Sequence, residues 1–336
     1  MRVLVIKTSS LGDVIHTLPA VTDAGHAFPG IKFDWLVEEA FSEVPGWHSS
    51  VDRVLPVAWR RWRKRIWHPE VIKEYRQLRG RLRAMNYDMV IDAQGLMKSA
   101  VLGCLVPAPV AGMTWATVRE PMASLTYRHR FEIGRQQHAV ERSRQLFAQA
   151  LNYPNPVESA DYGLASVSFR QPSDCYRGKS VVLVHASARA DKLWPVSYWR
   201  QLCLQLSAKG FSLQLPWGTQ QERVRAEEIA RSLENVFVLS KTSLSDLAAR
   251  LAAACCVVAV DTGVGHLAAA LGRPTISLYG PTDPKLIGAY GPGQYHLCAG
   301  VSTRDAYQGK SGDSLENIYP ETVVEAVLGA TRRCAA

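Results

Sequence analysis

The chain alternates short β-branched runs with amphipathic stretches, and it does so twice. That repeated alternation restricts the accessible folds more than any other feature. In the first series, residues 3–7, 33–37 and 89–92 read as strands, with helical patterns after Asp13, from Val71 and from His138. A stretch rich in Pro, Asn and Ser, from Asn152 to about Ser173, interrupts the pattern. The second series is cleaner, with strands predicted at 181–185, 211–215, 236–239, 257–260 and 275–279 and a terminal helix opened by Pro320. Two successive βα series predict an α/β chain of two Rossmann-like domains facing a central cleft, with ligands at the carboxyl ends of the strands. The expected divisions are 1–160, a linker at 161–179, a second domain at 180–315 and a C-terminal helix at 316–336.

Composition permits this reading. At 336 residues there is room for two ordinary domains, and 47% hydrophobic against 21% charged residues is a core-forming balance. The opening apolar run, Val3 to Ile6, is too short for a secretory signal. The longest later run, from Leu251 to Val260, is too short to span a bilayer and ends in Asp261. A cytoplasmic, non-integral protein is expected. Seven cysteines, two of them adjacent at Cys255 and Cys256 inside an apolar run, argue for reduced core thiols over a disulfide framework or a zinc motif.

The strand-end loops carry the candidate chemistry. Thr8-Ser9-Ser10-Leu11-Gly12-Asp13 has neither the dinucleotide nor the P-loop glycine spacing. Asp13 therefore reads either as a helix N-cap or as a general base facing a crevice, and the pattern alone does not decide. Asp261-Thr262-Gly263-Val264-Gly265-His266 follows a buried strand and opens an Ala-rich helix, which suits a pyrophosphate on free amides. Ser187, Arg189 and Lys192 put a hydroxyl and two cations on the same edge, where Lys192 can neutralise a leaving diphosphate. Pro216-Trp217-Gly218 with Glu222 offers an aromatic wall and a carboxylate for ribose hydroxyls; Glu222 reads almost equally well as a helix-start charge.

Lys plus Arg exceed Asp plus Glu by nine, 39 against 30. Most of that excess is local: between Trp59 and Arg83 there are ten basic residues and two acidic ones. An acidic partner is expected there, either nucleic acid, anionic lipid or a phosphorylated glycan. The stretch Arg60-Arg61-Trp62-Arg63-Lys64-Arg65 interleaves aromatics with charge but matches no nucleic-acid fold signature. Trp59, Trp62 and Trp67 are candidates for a membrane interface.

Several long motifs occur in order: Lys7-Thr8-Ser9-Ser10-Leu11-Gly12-Asp13, Asp34-Trp35-Leu36-Val37-Glu38-Glu39, Ile91-Asp92-Ala93-Gln94-Gly95-Leu96, Gln136-Gln137-His138-Ala139-Val140-Glu141-Arg142 and Tyr279-Gly280-Pro281-Thr282-Asp283-Pro284. Together they resemble the bacterial lipopolysaccharide heptosyltransferases of glycosyltransferase family 9, and the first type among them. The resemblance covers nearly the whole chain, thinning at 157–179 and after about Leu297.

The resemblance implies a GT-B fold with an acceptor domain first and a donor domain second, and a last helix that packs back toward the first domain. It implies inverting, metal-independent transfer of heptose from ADP-L-glycero-β-D-manno-heptose to the first Kdo of Kdo2-lipid A. No cofactor and no nucleic acid are implied, and the enzyme would sit peripherally on the cytoplasmic face of the inner membrane. Asp13 becomes the general base. Ser9, Ser10, Ser187, Ala188, Lys192, Glu222, Thr242, Asp261, Thr262, Gly263 and His266 become donor residues, and Arg60, Arg61, Arg63, Lys64, Lys98 and Arg119 acceptor residues. Two positions depart from the family pattern. Ser187-Ala188 stands where two threonines are common, which removes one hydroxyl, and Thr242 is smaller than the usual apolar residue. A second-type heptosyltransferase would share the donor and differ in acceptor. A nicotinamide oxidoreductase or epimerase would need a glycine fingerprint that neither first loop has. A nucleic-acid module would rest on the basic stretch alone.

Overall fold

The computed structural model describes residues 1–65, 67–165, 167–170, 179–299 and 314–333. Residues 166 and 171–178 of the expected linker, 300–313 of the expected second domain and 334–336 of the last helix lie outside the described residues. The chain divides into two compact units, Met1–Leu164 and Ala165–Ala336.

The first unit carries six strands: β1 (Arg2–Ile6), β2 (Lys32–Glu38), β3 (Val51–Val57), β4 (Met89–Asp92), β5 (Val110–Met113) and β6 (His129–Phe131). The second carries β7 (Ser180–Val184), β8 (Ser212–Leu215), β9 (Val236–Val238), β10 (Cys256–Val260), β11 (Thr275–Tyr279) and β12 (Gln294–Cys298). The sheet orders are β3-β2-β1-β4-β5-β6 and β12-β11-β10-β7-β8-β9, and the strand pairs are parallel throughout. Within each unit this is the doubly wound order in which the fourth strand returns to the far side of the first. The chain reverses its winding between those two strands, so their loops diverge and leave a crevice at their carboxyl ends. In the first unit that switch point lies between β1 and β4, and in the second between β7 and β10.

The central strands are apolar because helices cover both faces of a parallel sheet. Val3, Leu4, Val5 and Ile6 of β1 are fully buried, as are Val257, Val258 and Ala259 of β10. The helix Pro69–Ala84 adds Val71, Leu78 and Leu82 to the core around Leu4, Ile6 and Val90. In the second unit Trp194 and Trp199 meet edge to face, with ring centroids 4.9 Å apart. The Trp194 indole donates to Ile318 O at 2.9 Å, and Val323, Val327 and Ala330 of the last helix, Pro320–Arg333, share that core.

One packing detail reaches the first switch point. Tyr127 is buried and its hydroxyl donates to Asp92 Oδ2 at 2.7 Å, while the ring packs against Gly112 of β5. A Cβ at Gly112 would stand 2.3 Å from that ring. Gly112→Ala is expected to cost about 1–3 kcal/mol, the usual penalty of overpacking, read as a lowered Tm with Tyr127→Phe as the comparison.

A buried histidine sets a pH dependence of stability. His48 accepts from Ser50 N at 3.1 Å through Nδ1 and meets Thr22 Oγ1 at 2.9 Å through Nε2, an arrangement that suits the neutral ring. Burial lowers its pKa from 6.5 to about 4, with His26 adding to the effect and Asp161 opposing it. Between those values the unfolded chain binds the proton and the folded chain does not. The contribution is therefore complete above pH 6.5 and is lost as pH falls toward 4. Its size is on the order of 3 kcal/mol. Urea unfolding at pH 7.5 and 4.5 should show a smaller pH difference for His48→Asn than for the wild type.

Candidate functional site

At the first switch point the loops after β1 and β4 are laced together. The Lys7 ammonium donates to Ala93 O at 2.8 Å, and Gln94 Oε1 accepts the Thr8 and Ser9 amides at 3.0 Å each. Buried Asp92 organises the β4 side. Its carboxylate accepts the Gln94 and Gly95 amides at 2.9 and 3.0 Å and the Ser99 and Tyr127 hydroxyls at 2.8 and 2.7 Å. Burial raises its pKa against the pull of those four donors.

Asp13 sits in the first turn of the short helix Leu11–Ile15. Its Oδ2 accepts Ser10 N at 2.6 Å and Ser10 Oγ at 2.8 Å. The N-cap of this helix is Ser10, not Asp13 as the sequence suggests; Asp13 stands three residues on and closes the capping box, which leaves its carboxylate half-buried at the strand-end loop. Burial works against its charge, but Lys7, the two Ser10 hydrogen bonds and Arg119 outweigh burial and hold the carboxyl below its ordinary value. Asp13 is ionised at neutral pH, the form a proton acceptor needs.

Lys98 Nζ donates to Ser9 Oγ at 2.7 Å. Burial lowers the Lys98 pKa, with Arg60 and Arg119 adding to the effect and Glu38 and Asp13 opposing it. These interactions bring Ser9, Ser10, Asp13, Lys98, Arg60 and Arg119 into one electrostatic neighbourhood. Arg60 stacks over Phe41 at 5.4 Å, and its amide donates to Glu38 Oε1 at 3.1 Å. Arg61 is engaged with Glu74 at 2.9 Å and Glu39 at 3.7 Å, whereas Arg63 and Lys64 point into solvent. Trp62 departs from the interface expected of it: the indole is buried and donates to Glu74 Oε2 at 2.6 Å, while Trp67 is 84% exposed.

The second switch point gathers Ser187, Lys192, Asp261 and His266. Asp261, directly after β10, pairs through Oδ2 with Lys192 Nζ, lies 3.9 Å from His266 Nε2 through Oδ1, and accepts Ser187 Oγ on its carbonyl at 3.3 Å. Thr262 is the N-cap of the helix Gly263–Ala270. A Cβ on Gly265 would stand 3.0 Å from the Ala259 Cβ, so glycine lets this helix start close on β10. Glu222 closes a capping box: its Oε2 accepts Gly218 N at 2.7 Å and Thr219 N at 3.2 Å, and its own amide donates to Thr219 Oγ1 at 3.3 Å. Ala188 is exposed after β7. Thr242 is half-buried just ahead of the helix Leu244–Ala253.

Glu38, Gln94, Lys7 and Asp92 were not singled out for roles from the sequence. Lys7, Glu38 and Gln94 join segments far apart in the chain, so no local spacing marks them; Asp92 holds mainly its own loop, with Tyr127 as its distant partner. Among the described residues no group of three or more His, Cys, Asp or Glu is arranged to hold a metal ion.

Two doubly wound parallel α/β units, each with polar loops at the carboxyl ends of its central strands, are the two halves of a GT-B fold. The sequence model of glycosyltransferase family 9 (heptosyltransferase) matches residues 75–317, and the chain belongs to that family. It is 54% identical over 299 residues to lipopolysaccharide heptosyltransferase 1 of Pseudomonas aeruginosa, covering 88% of this chain and 83% of that one. The structure of the E. coli heptosyltransferase WaaC with ADP superposes with a TM-score of 0.90 at 47% identity, covering 98% of this chain and 100% of that one. The same enzyme with ADP-2-deoxy-2-fluoro heptose gives 0.88 at 46% identity, over 98% and 99% of the two chains. By contrast, a lipooligosaccharide heptosyltransferase 2 of Haemophilus influenzae matches only 28% of this chain and 29% of its own length, at 34% identity. The expected fold class and the expected enzyme class both hold.

Proposed function

We propose that this enzyme transfers L-glycero-D-manno-heptose from ADP-heptose to the first Kdo of Kdo2-lipid A, with inversion and without a metal. The observation that carries the reading is an ionised Asp13 held at the carboxyl end of β1 among Lys7, Lys98 and Arg119. A base set among cations suits a hydroxyl on a sugar that is itself an acid. The acceptor oxygen attacks the anomeric carbon from the face opposite ADP, and its proton passes to Asp13. The bond to the diphosphate breaks and its electron pair leaves with ADP. Asp13 is a weak base in the ground state, so proton transfer follows the hydroxyl's rising acidity as the new C–O bond forms.

The donor reading is supported by the ADP and fluoro-heptose ligands of the similar E. coli enzyme. On this side Lys192 and the amides at the start of the helix Gly263–Ala270 receive the departing diphosphate, and Ser187 adds a hydroxyl. Ala188 contributes only its amide. Glu222 serves ribose through its carboxylate while bracing the loop after β8, and Thr242 leaves a smaller wall for adenine. No described helix is long and apolar enough to cross a membrane. A lipid-linked acceptor then calls for a peripheral enzyme on the cytoplasmic face of the inner membrane.

The test is incubation with ADP-heptose and Kdo2-lipid A in the presence of a chelator, following ADP release and acceptor mass. A gain of one heptose supports the reading. Transfer only to an acceptor already bearing a heptose moves the enzyme to the second type, and a need for added metal overturns the metal-free mechanism.

A further inference from the structure

The basic helix Pro69–Ala84 is used by none of the chemistry above, yet it carries five basic residues against two acidic ones, a third of the chain's net charge of +9. Its inner face is fixed by Val71, Leu78 and Leu82, which belong to the core. Glu74 is taken up by Arg61 and the Trp62 indole. Lys73, Arg76, Arg79 and Arg83 recur at intervals of three or four residues, which sets them along one side of the helix. All four are exposed, and none has a carboxylate within ion-pair distance among the described residues. Pro69, Ile72, Lys73, Arg76 and Gln77 line an open groove of about 510 Å³. Just before the helix, Trp67 stands 84% exposed.

Four unpaired cations in a row call for a polyanion. Apolar groups beside them say which kind. A nucleic acid offers phosphates and flat bases. A bilayer surface offers phosphates above a glycerol and acyl layer, and an indole standing in water gains most from that boundary. Pro69 and Ile72 in the groove between Lys73 and Arg76 fit a phosphodiester whose ester carbons rest on apolar side chains. Resting on the reading that the acceptor is lipid-linked, we propose that the Lys73, Arg76, Arg79 and Arg83 face, with Trp67, is the surface on which this enzyme docks to an anionic lipid bilayer. The segment from Arg60 to Arg65 is joined to this face through the Arg61–Glu74 ion pair at 2.9 Å, so docking would bring that segment to the headgroup layer.

The test uses the full chain with vesicles of phosphatidylcholine alone or mixed with phosphatidylglycerol, read by co-sedimentation. Wild type should bind the mixed vesicles, ignore the neutral ones and come off as salt rises. Lys73→Ala/Arg76→Ala/Arg79→Ala/Arg83→Ala should bind roughly 500- to 1,000-fold more weakly, at about fivefold for each Lys or Arg removed. Its Tm, and its transfer to a water-soluble O-deacylated acceptor, should stay at wild-type values. Trp67→Ala should weaken binding without changing its salt dependence. Equal binding by the quadruple variant, or indifference of wild type to vesicle charge, overturns the proposal. So does a single-stranded oligonucleotide that holds the protein more tightly than vesicles do at matched phosphate. Vesicle binding through these four cations by an enzyme that transfers no heptose leaves the docking surface standing and counts against the reaction alone.

Discussion

Asp13→Ala should lower turnover by ~10²–10⁴-fold, the usual worth of a positioned general base, while leaving ADP-heptose affinity within about twofold. Apart from Ser9 and Ser10, the donor residues belong to the other unit, so most of the donor contacts do not depend on Asp13. Asp13 also closes the capping box of its helix by accepting two hydrogen bonds from Ser10, so loss of the side chain carries a structural cost of about 1–2 kcal/mol. Asp13→Asn separates the two roles. The amide oxygen can still accept from Ser10, so the loop keeps its form, but it takes no proton at neutral pH. Turnover near the Ala level, with a Tm near wild type, identifies a base. Restored turnover in the Asn variant shows that capping was all Asp13 did. The pH profile gives a further check. Lys7, Ser10 and Arg119 hold the carboxyl below its ordinary value of 3.8, so activity should not fall with the titration of an ordinary carboxylate. Ser10→Ala removes one lowering interaction and should move the acid limb upward.

Most of the strands legible in the sequence are buried on both faces, the edge strand β9, read at 236–239, being the exception. β1 and β10 are almost wholly apolar, β11 is buried throughout and β4 nearly so, and the residues read as strands at 89–92 and 275–279 match the structure end to end. β3, β6 and β12 lie at sheet edges. Their polar or half-buried residues, as in Val51–Val57 with Asp52, Arg53 and Pro56, obey no strong periodicity, so the pattern predicts no strand there. β5 was lost to its Gly112, a residue that weakens a strand pattern and is needed here to seat Tyr127. The candidate site divides the same way. Asp13, Asp261 and Lys192 stand on strand-end loops that the alternation locates. Lys7, Glu38 and Gln94 act between neighbouring strand ends, and their partners become neighbours only once the strand order is known.

Lys192→Ala should also lower turnover by ~10²–10³-fold, the cost of removing one preorganised group from developing negative charge on the leaving diphosphate. Here activity and stability are entangled. The Asp261 side chain is 7% exposed, and its Oδ2 is paired with Lys192. Removing the cation leaves a nearly buried carboxylate uncompensated, at a cost of about 3–5 kcal/mol, and a variant that merely unfolds would mimic a catalytic loss. Asp261→Asn in the same chain resolves this. Lys192→Ala/Asp261→Asn removes the stranded charge, so unfolding free energy should recover most of what Lys192→Ala lost. Turnover should not recover, since the diphosphate still lacks its cation. Lys192→Arg restores charge with a broader head and should regain part of the rate. If the double variant regains turnover along with stability, Lys192 serves only to neutralise Asp261, and the leaving group is met by the amides at the start of the helix Gly263–Ala270 alone.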